Sequence, residues 1–135
     1  MTLPPSLGTP YDDLGGEDVV RRLATRFYDV MERDEPALLA VHLQDPPGHV
    51  ALQTRERFGL FLMGWLGGPQ TYQERFGHPR LRMRHAHVQI DQDQRDAWLR
   101  CMVKALDDLE IRGDTRAYVE TRLAEVATFL KNVGA

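Results

Sequence analysis

Cysteine occurs once in these 135 residues, as Cys101, so no internal disulfide can staple the fold. No CxxC or HExxH spacing offers a compact zinc site either. Long apolar runs are missing too. The longest, Leu60-Phe61-Leu62-Met63-Gly64-Trp65-Leu66, is far too short to cross a bilayer, and the N-terminus lacks the basic-then-apolar pattern of a signal peptide. A cytoplasmic protein with no membrane partner is expected. Strand-like alternation, internal repeats and low-complexity tracts are absent, and no glycine-rich loop opens a helix in the manner of a phosphate cradle. The net charge is only −3, from 17 basic and 20 acidic side chains, which does not describe a nucleic-acid binder.

What is present is ordinary for one globular domain: 42% hydrophobic and 27% charged residues, enough for a single core. All eight prolines fall in the first 79 residues, in the N-terminal stretch or between apolar-periodic runs, so they punctuate helices rather than interrupt them. Val19, Val20, Leu23, Phe27, Val30 and Met31 recur at helical spacing with Tyr28 beside them, predicting a helix over 17–33. A helical turn over 36–42 follows, then a loop at Asp45-Pro46-Pro47-Gly48. A second long helix over 49–66 groups Leu52, Phe58, Phe61, Leu62 and Trp65 and is stopped by Gly67-Gly68-Pro69. Residues 70–88 hold few regularly spaced apolar side chains, so irregular backbone is expected, with at most a short helix over 81–85. Asp91 and Gln94 have the spacing of a capping box ahead of a helix carrying Trp98, Cys101, Met102, Ala105, Leu106 and Leu109. Val119, Leu123, Val126 and Leu130 mark a final helix to about residue 132. The fold class is therefore all-α, with residues 1–11 as a flexible tail and 12–135 as one domain.

Charge is distributed unevenly. Residues 75–90 contain Arg75, Arg80, Arg82 and Arg84, three histidines (His78, His85, His87) and no acid, which leaves 13 − 20 = −7 for the rest of the chain. That segment either meets something anionic or is a solvated basic loop. Tyr28 and Trp98 each join an apolar body to one polar tip on or beside an apolar helix face. A buried hydroxyl and a buried indole N–H need acceptors, which are either main-chain carbonyls or a ligand in a dry pocket. Met31, Met63, Met83 and Met102 read as core fillers, and Cys101 as an inert buried thiol.

Three stretches in order, Trp65-Leu66-Gly67-Gly68-Pro69-Gln70-Thr71-Tyr72, Gly77-His78-Pro79-Arg80-Leu81-Arg82-Met83-Arg84-His85 and Trp98-Leu99-Arg100-Cys101-Met102, strongly resemble the group II truncated haemoglobins. The resemblance runs from about Asp12 through the last helix. It implies a globin-like, truncated two-over-two helical sandwich around haem b, with His85 as the proximal ligand of the iron and metal-binding residue. A neutral imidazole suits that role when its other N–H is held by a carbonyl.

The same resemblance assigns Arg84 to a haem propionate and makes Tyr72, Leu81, Met102 and Phe61 pocket residues. On the distal side it matches Tyr28 and Trp98 to hydrogen-bond donors for a bound ligand, and Thr54 and Phe58 to helix positions facing the iron. His42 falls where the family often carries tyrosine, phenylalanine or histidine. It is open to bonding Tyr28 or the ligand, to acting as a sixth iron ligand, or to facing solvent. Departures are the Ala86-His87-Val88 run after the proximal histidine, the bulk of Phe58 and the proline-rich loop before the second long helix. The implied function is reversible binding of O2, with CO and NO as further ligands; the alternative is a haem enzyme for nitric oxide dioxygenation or peroxide reduction, served by a reductase. A haem-free helical module is the third reading, and the intact motif around His85 argues against it. A homodimer is left open.

Overall fold

The computed structural model describes residues 8–132, and among these all regular structure is helical. A single antiparallel bridge between Gln44 and Val50 closes the loop ahead of the second long helix. The elements are α1 (Pro10–Leu14), α2 (Glu17–Asp34), α3 (Pro36–Leu39), α4 (Leu52–Trp65), α5 (Thr71–Phe76), α6 (Leu81–Arg84), α7 (Gln92–Asp108) and α8 (Asp114–Phe129).

Helix α2 is the axis of the molecule. Its apolar stripe of Val20, Leu23, Ala24, Phe27, Val30 and Met31 is fully buried, because helical periodicity places these side chains on one face that two neighbours cover. Those neighbours are α4 and α7, and α8 packs in turn on α7. The two pairs, α2 with α4 and α7 with α8, form the two-over-two sandwich. Helix α6 makes at most marginal backbone contact with the other helices. The half-buried rings of Phe58, Phe61 and Trp98 pack against the α2/α4/α7 core, and His85 at the end of α6 lies near enough to His42 to influence its titration.

Local chemistry sets the element ends. The N-cap Asp91 accepts the Gln94 amide at 2.8 Å, as its spacing predicts. The reciprocal half of the capping box is not made, since Gln94 Oε1 is buried without a partner among the described residues. After α4, Gly67 turns at φ +96°, a conformation that favours glycine. The turn also returns Leu66 to accept the Tyr11 amide at 3.0 Å.

Several expectations need correction. Residues 1–7 lie outside the described residues, but Pro10 and Tyr11, expected in the tail, belong to α1, where proline suits the first turn and Thr9 caps it. The 70–88 segment contains α5 in addition to α6; the apolar face of α5 is aromatic, with Tyr72 stacking on both Phe61 and Phe76. Helix α3 ends at Leu39 rather than 42, and α4 begins at Leu52 rather than 49, because the chain between them turns over Pro46–His49 and is pinned by the Gln44–Val50 bridge. Leu52, grouped with the apolar face of α4, is 80% exposed, and Met83, read as core, is 64% exposed. Each sits at or near a helix terminus, where periodicity loses its neighbours on one side.

Candidate functional site

One side of the site is built on α6. Arg80 at its N-cap takes a left-handed conformation (φ 48°), and the helix then runs a single turn to His85 at its C-cap. That turn fixes the imidazole. The Leu81 carbonyl accepts both the His85 main-chain N–H, at 3.1 Å, and its Nδ1, at 2.6 Å. A carbonyl oxygen only accepts, so Nδ1 carries the proton and Nε2 keeps its lone pair. The segment after His85 is anchored from the end of the chain: Asn132 Nδ2 donates to the Val88 carbonyl at 2.9 Å and Asn132 Oδ1 accepts the Ile90 amide at 2.7 Å. Leu81 is half-buried. Arg84 is exposed, with Nε donating to the Pro79 carbonyl at 2.9 Å and no partner for its two terminal nitrogens among the described residues.

The other side is aromatic. Phe27 at the centre of α2 touches Tyr28, Phe58 of α4 and Trp98 of α7, each at a centroid distance of 5.0 Å. Tyr28 lies edge-on to Phe58 at 5.5 Å and to His42 at 5.8 Å, and Phe58 meets Trp98 at 6.1 Å. Tyr28, His42, Phe58 and Trp98 are thereby gathered from four separate elements. Burial drives the Tyr28 phenol well above its ordinary range, against a smaller opposing pull from the Arg55 charge, and no described group accepts its hydroxyl proton. It is a neutral donor at any physiological pH.

His42 repeats the arrangement of His85. Its Nδ1 bonds the Leu38 carbonyl at 2.8 Å, leaving Nε2 as an acceptor. Burial lowers its pKa and the Leu38 bond only partly opposes that, so the ring is neutral at pH 7. Thr54 and Phe61 are half-buried on α4. Tyr72 and Met102 are core residues with little free surface, and Cys101 is fully buried, its thiol pushed up to about 12 by burial.

A residue that periodicity did not single out braces the Tyr28 side of the site. Arg55, next to Thr54, bonds Glu32 at 2.6 Å, Asp29 at 2.9 Å and the carbonyls of Thr25 and Val50, and its guanidinium lies 5.7 Å from the Tyr28 ring centre. Glu32 also accepts the Val50 amide at 2.7 Å. Burial raises the Glu32 carboxyl, but Val50 and Arg55 together take it below its ordinary value. The only linear signal was the i,i+3 pair of acids, Asp29 and Glu32, on α2.

An imidazole held through Nδ1, a phenol with no described acceptor, a cluster of apolar rings and an exposed arginine beside the imidazole are residues that suit a flat apolar group with an axial metal and peripheral carboxylates. A helical sandwich built around such a set is a globin. The chain matches the family described as bacterial-like globin over residues 9–132. It is 33% identical over 127 residues to the group 2 truncated hemoglobin YjbI of Bacillus subtilis (strain 168), covering 94% of this chain and 91% of that one. Among solved structures, the cold-adapted truncated hemoglobin of the Antarctic marine bacterium Pseudoalteromonas haloplanktis TAC125 superposes with a TM-score of 0.85 at 39% identity, covering 94% of this chain and all of the other. The truncated oxygen-avid haemoglobin of Bacillus subtilis does so with a TM-score of 0.82 at 32% identity, covering 93% of this chain and all of the other. The chain belongs to the bacterial-like globins, within the group II truncated haemoglobins. That family's cofactor is haem and its ligands are small diatomic molecules.

Proposed function

We propose that this chain binds haem b through His85 and retains O2, with CO and NO as alternative ligands, by hydrogen bonds from Tyr28 and Trp98. The observation that carries the reading is the 2.6 Å bond from His85 Nδ1 to the Leu81 carbonyl, which leaves Nε2 as the ring nitrogen available to an axial metal. Haem supplies a ferrous iron able to hold a diatomic ligand; the rest of the work falls to side chains of the chain itself. Phe58, Phe61 and Leu81 exclude water from the two faces of the haem. The terminal nitrogens of Arg84 are available to a propionate.

Tyr28 contributes a proton that no described protein group accepts and that burial keeps on the phenol. Trp98 contributes an indole N–H from the other side of Phe58, and Thr54 lines the same space. His42, with Nε2 as acceptor, serves to orient the Tyr28 hydroxyl. A structural relative, the haemoglobin of Bacillus subtilis, is described as oxygen-avid, a property consistent with strong distal donors here.

A hydrogen bond to a ligand that carries negative charge contributes about 1.5–3 kcal/mol, so losing one speeds escape roughly tenfold to hundredfold. Tyr28→Phe and Trp98→Phe should each raise the O2 dissociation rate by that factor, measured by CO displacement in stopped flow. Unchanged rates in both variants would remove the two residues from the site.

A further inference from the structure

The outward face of α6 differs from the rest of the surface. Most arginines elsewhere are paired with carboxylates, for instance Arg26 with Asp108 at 2.7 Å, Arg100 with Glu35 at 2.9 Å and Arg116 with Asp107 at 2.6 Å. Arg80 and Arg82 pair with none among the described residues, and Arg82 instead lies over the Phe129 ring at 4.5 Å. Met83, next to Arg82, is 64% exposed, and Phe129 is 55% exposed. A small apolar centre is thus rimmed by unneutralised guanidinium groups, with no acid anywhere from residue 75 to residue 90.

We propose that the face formed by Arg80, Arg82, Met83 and Phe129 docks the acidic face of a one-electron carrier protein. The proposal rests on the haem reading above. A diatomic-binding haem must be kept ferrous, and restoring it takes one electron: the carrier is oxidised by one electron, the iron goes from ferric to ferrous, and no proton or covalent bond changes hands. Arg80, Arg82 and Met83 belong to the single turn that ends at His85, so a partner seated there sits on the element that carries the axial ligand.

Charge gives the direction. The remainder of the chain carries −7, which repels an acidic partner everywhere else and turns this face towards it. The patch is small, as transient electron-transfer contacts are, and an exposed methionine adapts its shape to the partner. An extended polyanion would meet the same −7, and a helix of four residues has no apolar stripe to lay in a membrane.

The test uses haem-loaded protein and, as probe, an acidic [2Fe–2S] ferredoxin. Reduction of the ferric protein by reduced ferredoxin should slow about tenfold between about 20 and about 300 mM salt. The double variant R80E/R82E should lose about tenfold at low salt, whereas R112E, a charge reversal at the exposed turn between α7 and α8, should not. A small uncharged reductant should act equally on all three. Titration of isotope-labelled protein with oxidised ferredoxin reads docking without turnover: amide shifts should concentrate at residues 80–84 and 129 and vanish in R80E/R82E. Rates indifferent to salt and to R80E/R82E, shifts centred on another face, or binding to phosphatidylserine vesicles or duplex DNA in place of ferredoxin would each overturn the proposal. Failure to take up haem would sink the functional reading, while the titration would still decide the docking.

Discussion

At the scale of single residues, the same device appears twice. Both His42 and His85 give Nδ1–H to the carbonyl four residues earlier, at 2.8 and 2.6 Å, so in each the nitrogen left for another partner is Nε2. Motif order in the sequence pointed to His85, Tyr28 and Trp98 because chemistry restricts those positions to a few residue types. It could not show which nitrogen of His42 is bonded, since that depends on where a short helix leaves its last carbonyls. Nor did it find Arg55, whose partners on α2 come from 23 to 30 positions away along the chain.

Glu32 makes that last network testable. Its side chain and that of Arg55 are 16% and 13% exposed, so water screens the pair little. A folded-state pKa below the unfolded value near 4.5 means that the carboxylate stabilises the fold fully above that value and loses its contribution as pH falls through the folded one. Glu32→Gln should cost about 2 kcal/mol at neutral pH, the worth of hydrogen bonds to a charged group. Denaturant midpoints at pH 7 and below pH 4 check this: the gap between variant and wild type should close in acid. A gap that stays constant would mean the carboxylate charge is idle.

At the scale of elements, helices α2, α4, α7 and α8 were legible because each runs long enough for apolar residues to recur at helical spacing, although α8 ends at Phe129 rather than 132 and α4 buries Gly59, Leu60, Leu62 and Met63 instead of most of its expected stripe. The short pieces were not, because one or two turns carry too few residues for periodicity to register. Helix α5 is the instructive case: besides the local Tyr72–Phe76 pair, Tyr72 meets Phe61 of α4, a contact that exists only after the chain has turned at Gly67-Gly68. The same turn docks α1. A Cβ at Gly68 would stand 2.6 Å from the Tyr11 ring, whereas one at Gly59, in the α2/α4 crossing, would meet Ala24 at an ordinary 3.7 Å.

Two glycines in one stretch should therefore respond in opposite ways. Gly68→Ala should displace Tyr11 and cost about 1–3 kcal/mol, with faster hydrogen exchange confined first to residues 9–15. Gly59→Ala should be neutral or stabilising by up to about 1 kcal/mol, since alanine suits a helix interior better. Thermal unfolding of both variants checks the pair, and a destabilised Gly59→Ala would show that the helix crossing is tighter than its 3.7 Å contact implies.

At the scale of the whole molecule, the two-over-two sandwich carries α6 by its ends rather than by helix packing. Pro79 and the Arg80 turn fix one end, and Asn132, reaching back from beyond α8, fixes the other. The chain order of the motifs carried the fold and the cofactor, whereas the anchoring by Asn132 joins positions 44 residues apart and left no local trace. The central claim is that His85 is the axial ligand presented by this anchored turn. Resonance Raman spectroscopy of the reduced, haem-loaded protein tests it most directly. The account predicts an iron–histidine stretching band that disappears in His85→Gly and returns, shifted, when free imidazole is added. A band that persists unchanged in the variant, or a wild-type protein that lacks it, would contradict the account.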